Sequence, residues 1–356
     1  MTAEVNHKEL KEHIKKSYNT DIALFVKGTM GIGKSDVVKQ TAMEIAKEKG
    51  LEFVKNSWGE GKFSMIDIRL SQRNPEDLKG LPMFNKDNKT TEWYVPEELP
   101  KSGQGIIFFD ELNLAVPSIQ AAAYEIILEK RLGTYKIPEG WGIVAAGNGT
   151  NDNANTYLLS SPLKNRFSHV QLGIPNISDW TIWAAENNIN PSIISFLNFK
   201  EVYLYKFDSN SDDDAFATPR SWSFASRLIE GETKDNSIKR YLASAVGEGI
   251  AHEYIAYHKM AAALDIDGMI KNPDDFKSPK EVNMKYAIAG AFADRYNKNP
   301  KLLQNICKIW IKLEPEFTVI SMKMCKAYKP RTFFEQMLKL KEWEVLSREY
   351  SKYIMD

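Results

Sequence analysis

The chain has 356 residues, enough for two or three domains, and 43% of them are hydrophobic, which allows a sizeable core. Lys plus Arg and Asp plus Glu both number 47, so the formal net charge is zero, which speaks against a protein that grips nucleic acid mainly through its phosphates. The two cysteines, Cys307 and Cys325, are far apart in no metal-ligand pattern, and His252 and His258 lack the i, i+4 spacing of a zinc pair, so neither a disulfide framework nor a zinc site is expected.

Residues 1–16 are of mixed charge and lack the apolar core of a signal peptide. No segment approaches the roughly 18 apolar residues of a membrane span. The expectation is a cytoplasmic protein with no membrane partner and no separate N-terminal substrate domain before Lys8. Residues 21–27 (DIALFVK) form an apolar run that stops at Gly28 and read as a buried strand. After Gly33, the spacing of Val38, Ala42, Ile45 and Ala46 predicts a helix, with Gly50 as a stop. Residues 64–70 (SMIDIRL) read as a second strand. The polar, turn-rich stretch 82–100 reads as an inserted hairpin or loop. Residues 105–109 (GIIFF) have the continuous apolar character of a strand covered on both faces. A helix is predicted over 118–130, then strands over 142–146 (GIVAA) and 168–172 (SHVQL). Strands alternating with helices predict an α/β domain with a mostly parallel sheet.

Beyond Pro175 the strand signal fades. Short helices are predicted over 180–187, 193–199 and 222–230, and a long one over 238–264. The acidic stretch 208–214 (DSNSDDD) reads as a solvated turn rather than a cation site. Residues 265–282 are broken by Pro273 and Pro279, and 283–356 read as several helices.

The chemistry begins between the first strand and its helix. Gly28, Thr29, Met30, Gly31, Ile32, Gly33, Lys34 and Ser35 match G-x-x-x-x-G-K-[ST] in the strand–loop–helix context this motif requires. Glycines let the backbone turn sharply and expose successive N–H groups to a phosphate, and the helix N-terminus favours the anion. Lys34 would reach the β- and γ-phosphates of ATP, and Ser35 would ligate Mg²⁺. The third strand ends in Asp110 and Glu111. Asp110 suits a Mg²⁺-holding acid and Glu111 a general base for the attacking water, although acids also favour a helix N-terminus. Asn148, after the fourth strand, is placed to orient that water, although Asn also favours turns after strands.

Taken together, these segments resemble the AAA+ superfamily and, within it, the MoxR-like ATPases. The carrying residues are GTMGIGKS (28–35), IDIRLSQRNPEDLKGLP (66–82), GIIFFDELNLA (105–115), GIVAAGN (142–148), LLSSPLKNRFSHV (158–170) and ATPRSW (217–222), in the family's order. They span most of residues 22–228. The resemblance implies an AAA+ P-loop NTPase core with a five-stranded parallel sheet over residues 1–174. It implies an α-helical lid over 175–264; the remainder, 265–356, carries no motif of the family and reads as a C-terminal helical extension. Lys34 and Ser35 would be Walker A, Asp110 and Glu111 Walker B, and Asn148 sensor 1. Arg166 would be the arginine finger that reaches a neighbouring subunit's site, and Arg220 the sensor 2 arginine of the lid. The insert 82–100 and the segment 131–141 resemble loops that line the central pore in relatives.

The implied function is an ATP-hydrolysing homo-oligomer, a hexameric ring that remodels a protein partner, with a von Willebrand A-type domain as the partner the family suggests. A nucleic-acid motor or helicase loader is the alternative, disfavoured by the neutral charge. A P-loop kinase needs neither a trans arginine nor a sensor 2 lid.

Overall fold

The computed structural model describes residues 3–87, 89–149, 157–208 and 212–354. Of the predicted acidic loop, residues 209–211 lie outside the described residues. The chain divides into two compact units, Met1–Ile174 and Pro175–Asp356.

The first unit runs β1 (Ala3–Val5), α1 (His7–Thr20), β2 (Leu24–Lys27), α2 (Lys34–Glu48), β3 (Glu52–Lys55), β4 (Lys62–Arg69) and α3 (Pro75–Lys79). A hairpin of β5 (Leu81–Asn85) and β6 (Thr90–Tyr94) follows, then β7 (Gln104–Asp110) and α4 (Pro117–Glu129). A short hairpin of β8 (Arg131–Leu132) and β9 (Tyr135–Lys136) precedes β10 (Trp141–Gly147), α5 (Ser161–Lys164) and β11 (Ser168–Leu172). The main sheet has the order β1-β11-β2-β10-β7-β4-β3, and every pair in it is parallel. The five predicted strands are its centre, so the sheet has seven strands rather than five. The two extra edge strands have three and four residues, too short to carry a period.

Alternation along the central strands sorts their side chains between two faces. Phe25, Ile66, Ile68, Ile107, Phe109, Ile143 and Ala145 are buried against Ile119, Ala122, Ala123 and Ile126 of α4. Burial of a side chain such as Ile126 stabilises by about 1.5–3 kcal/mol. The opposite face carries α1 and α2. There Gly142 lies so close to α1 that a Cβ would be 2.9 Å from the Tyr18 ring. Helix α1 is unanticipated, although its start has a local signature. Asn6 and Glu9 form a reciprocal capping box, and Leu10 and Ile14 supply the buried stripe. Lys11 and Lys15 reach across to Glu44 and Glu48 of α2.

The second unit is built from α6 (Ile177–Glu186), α7 (Pro191–Phe199), α8 (Pro219–Leu228), α9 (Asp235–Val246), α10 (Glu248–Ala262) and α11 (Ile266–Lys271). It continues through α12 (Val282–Lys298), α13 (Leu303–Trp310), α14 (Pro315–Tyr328), α15 (Pro330–Met337) and α16 (Glu342–Ile354). The long helix predicted over 238–264 is two helices. Gly247, at φ 94°, ends α9 and starts α10, a backbone state that a side chain disfavours. One hydrophobic core runs from Trp180 to Tyr350. The boundary predicted at 264/265 therefore falls inside a single packed body. Gly290 of α12 lies against Ser195 of α7, where a Cβ would be 2.7 Å from the serine Cβ. Among the described residues no helix is long and apolar enough to cross a membrane.

Candidate nucleotide-binding site

The loop between β2 and α2 owes its shape to its glycines. A Cβ on Gly28 would lie 2.9 Å from Ile32 Cδ1 and 3.1 Å from the Leu172 carbonyl oxygen. Gly31 and Gly33 have φ of 74° and 95°, in the left-handed region open to glycine. Gly33 is also the N-cap of α2 and offers no side chain to the first-turn amides. A helix start of this kind favours an anion. The Lys34 side chain is buried, and its ammonium donates to the carbonyls of Gly28 (2.7 Å) and Thr29 (2.9 Å) and to Asn148 Oδ1 (3.2 Å). A buried cation needs such partners. From α1, His7 Nε2 lies 2.7 Å from the Ile32 carbonyl and donates to it in the tautomer protonated there.

The two acids sit at the end of β7. Asp110 Oδ2 accepts from Ser35 Oγ at 2.9 Å, and Oδ1 accepts from the Glu111 amide at 3.0 Å. Burial pushes the Asp110 carboxyl above its ordinary range. The Ser35 hydrogen bond opposes that shift, and the charges of Asp67 and Glu111 add to it. Ser35 Oγ and Asp110 Oδ2 are hard oxygen donors side by side at the loop, the donor chemistry a magnesium ion takes. Glu111 has φ 59°, uncommon for a non-glycine residue. Its carboxylate accepts a hydrogen bond from Ser71 Oγ, in the turn after β4.

Asn148 follows β10, the strand between β2 and β7. Asn113 clamps its backbone in both directions. The Asn148 amide donates to Asn113 Oδ1 (3.0 Å), and Asn113 Nδ2 donates to the Asn148 carbonyl (2.9 Å). Gly147 permits this approach, since a Cβ there would be 2.6 Å from Asn113 Oδ1 and 2.7 Å from Phe25 Cζ. Gly147→Ala is therefore expected to lower stability by about 1–3 kcal/mol. The urea midpoint should fall with an unchanged slope.

The structure thus brings together the loop, Lys34, Ser35, Asp110, Glu111 and Asn148. Arg166 follows α5 in the same unit. It is exposed and makes no ion pair with a described residue. Arg220 lies in the first turn of α8 in the second unit and is likewise exposed. Ser71, Asn113 and His7 escaped the sequence reading. Their partners lie 25 to 40 positions away, and no local pattern marks them.

No family model matches the chain, and no curated protein matches it in sequence. Among solved structures, a candidate ATPase from Cytophaga hutchinsonii ATCC 33406 is 14% identical, with 77% of this chain and 90% of that one covered and a TM-score of 0.36. NtrX from Brucella abortus in complex with ADP is 13% identical, with coverages of 97% and 68% and a TM-score of 0.32. A point mutant of RuvB from Thermotoga maritima is 14% identical, with coverages of 98% and 87% and a TM-score of 0.33. The parallel order β11-β2-β10-β7-β4, with the glycine loop after β2, the acid pair after β7 and helices on both faces, is the AAA+ type of P-loop NTPase fold.

Proposed function

We propose that this chain is an ATP-hydrolysing AAA+ ATPase of the MoxR-like kind, working as a hexameric ring that remodels a protein partner. The observation that carries the reading is the convergence of Lys34, the Ser35–Asp110 pair and Asn148 on one glycine loop. In this reading the loop amides from Gly28 to Gly33 and the start of α2 hold the phosphates of ATP. Lys34 turns from the loop carbonyls to the β- and γ-phosphates. Ser35 and Asp110 would hold Mg²⁺, which when bound would supply positive charge against the phosphate oxygens. Glu111 takes the proton of the attacking water, and Asn148 fixes that water's position. Arg220 takes the sensor 2 role that the resemblance implies.

Arg166 acts in trans in this scheme. An exposed guanidinium with no ion pair among the described residues of its own chain suits a role completed by a neighbour, and such an arginine is worth on the order of 10³ or more in rate. Arg166→Ala is expected to bind ATP and lose turnover. Mixing it with Lys34→Ala should restore part of the activity, since each supplies what the other lacks at shared interfaces. Activity equal to the sum of the two separate variants would refute the trans assignment. Sedimentation with ATP gives the ring size in the same samples.

The β5–β6 hairpin supports a polypeptide substrate. Leu81, Met83, Phe84, Trp93 and Tyr94 are all exposed there, on both faces of a two-stranded ribbon. Exposed apolar side chains in such a cluster mark an interaction surface. A protein with a von Willebrand A-type domain is the partner to test first.

A further inference from the structure

Asp67 lies two residues before the end of β4, on the strand beside the one that ends in Asp110. The register sets Asp67 beside Phe108 and Arg69 beside Asp110. Residues two apart on a strand share a face, so both aspartates point away from α4 and toward α2, whose Ser35 already bonds Asp110. Asp67 Oδ2 accepts from Lys55 Nζ at 2.9 Å. Its other oxygen, Oδ1, is buried and has no hydrogen-bond partner among the described residues.

A buried carboxylate oxygen without a donor is costly, and native proteins supply one. The obvious cation is engaged elsewhere, since Lys34 is turned to the loop carbonyls and Asn148. The charge on Asp67 is felt at Asp110, where it adds to the upward push of burial. Yet among the described residues no three His, Cys, Asp or Glu side chains converge closely enough to hold a metal directly. What fits is a donor that carries positive charge and stands one water molecule away. Magnesium keeps several of its waters when bound, and these are strong donors.

We propose that Asp67 is a positioning residue for the magnesium that accompanies ATP, with Oδ1 accepting a hydrogen bond from a metal-bound water. This rests on the ATPase reading above and adds to it a second line of coordination. Outer partners of this kind typically carry ten- to a hundredfold in metal affinity. Lys55 plays a different part, tethering β3 through Oδ2 and leaving Oδ1 to the water.

The test uses the full chain with a non-hydrolysable ATP analogue and follows Mn²⁺ binding by electron paramagnetic resonance. Asp67→Asn is expected to weaken Mn²⁺ binding about tenfold, while affinity for the analogue in EDTA stays unchanged. Asp67→Glu, which keeps the charge, should retain most of the Mn²⁺ affinity. Lys55→Met should not weaken it. The inference is overturned if Asp67→Asn binds Mn²⁺ as the wild type does, if its affinity for the analogue in EDTA falls in proportion, or if Lys55→Met reproduces the loss. A wild type that takes up no Mn²⁺ with the analogue overturns the ATPase reading and this inference with it. A wild type that binds, matched by Asp67→Asn, overturns this inference alone.

Discussion

Glu111→Gln is expected to lower ATP turnover by about two to four orders of magnitude while leaving nucleotide affinity intact. Glutamine keeps the size of the side chain and an oxygen for the Ser71 hydroxyl, but it cannot take a proton from water. The backbone at this position does not depend on the carboxylate. Its left-handed conformation, of the kind that costs about 1–3 kcal/mol in a non-glycine residue, is held from outside. The Glu111 amide donates to Asp110, the Leu114 amide to the Glu111 carbonyl, and the Leu112 amide to Ala146 on the neighbouring strand. The variant should therefore fold and assemble with ATP in place. Steady-state phosphate release beside a fluorescent-nucleotide titration separates the two quantities. Turnover close to that of the unaltered chain would remove Glu111 as the base.

Lys34→Ala acts earlier, on binding. A charge-assisted hydrogen bond is worth about 1.5–3 kcal/mol, so loss of the ammonium should weaken ATP binding on the order of a hundredfold. The same ammonium spans the carbonyls of Gly28 and Thr29 and the side chain of Asn148. Its removal leaves these acceptors short of a donor in a buried place, which should lower stability by about 1–3 kcal/mol. Calorimetric titration with ATP and thermal unfolding without it read the two effects apart. A large loss of affinity in a chain that still melts cooperatively is the expected pair of results. ATP affinity equal to that of the unaltered chain would exclude Lys34 from phosphate binding.

Most of the candidate site was legible because its signals are local. GTMGIGKS carries its own turn chemistry, and an apolar run that stops at Asp110–Glu111 puts carboxylates at a strand end without reference to anything distant. The strand over 168–172 has the same limits in the sequence reading and in the structure. Less was legible where the pattern is short or repeats itself. The strands 3–5 and 52–55 have no room for a period. The helical spacing looks alike on both sides of Gly247, so only its φ reveals the break. The division at 264/265 fell where no further motif could be carried over, whereas packing such as Gly290 on Ser195 runs across it.

By itself, then, the order of residues determined the glycine loop, the central strands and the place of the acid pair, because turn geometry and side-chain alternation act over a few neighbouring positions. Only the tertiary structure decided that Ser71 reaches Glu111 across 40 positions, that Asn113 clamps Asn148 across 35, and that Asp67 faces the same way as Asp110. Those depend on which strands lie side by side and in what register, and register is set by burial over the whole sheet rather than by any one stretch of chain.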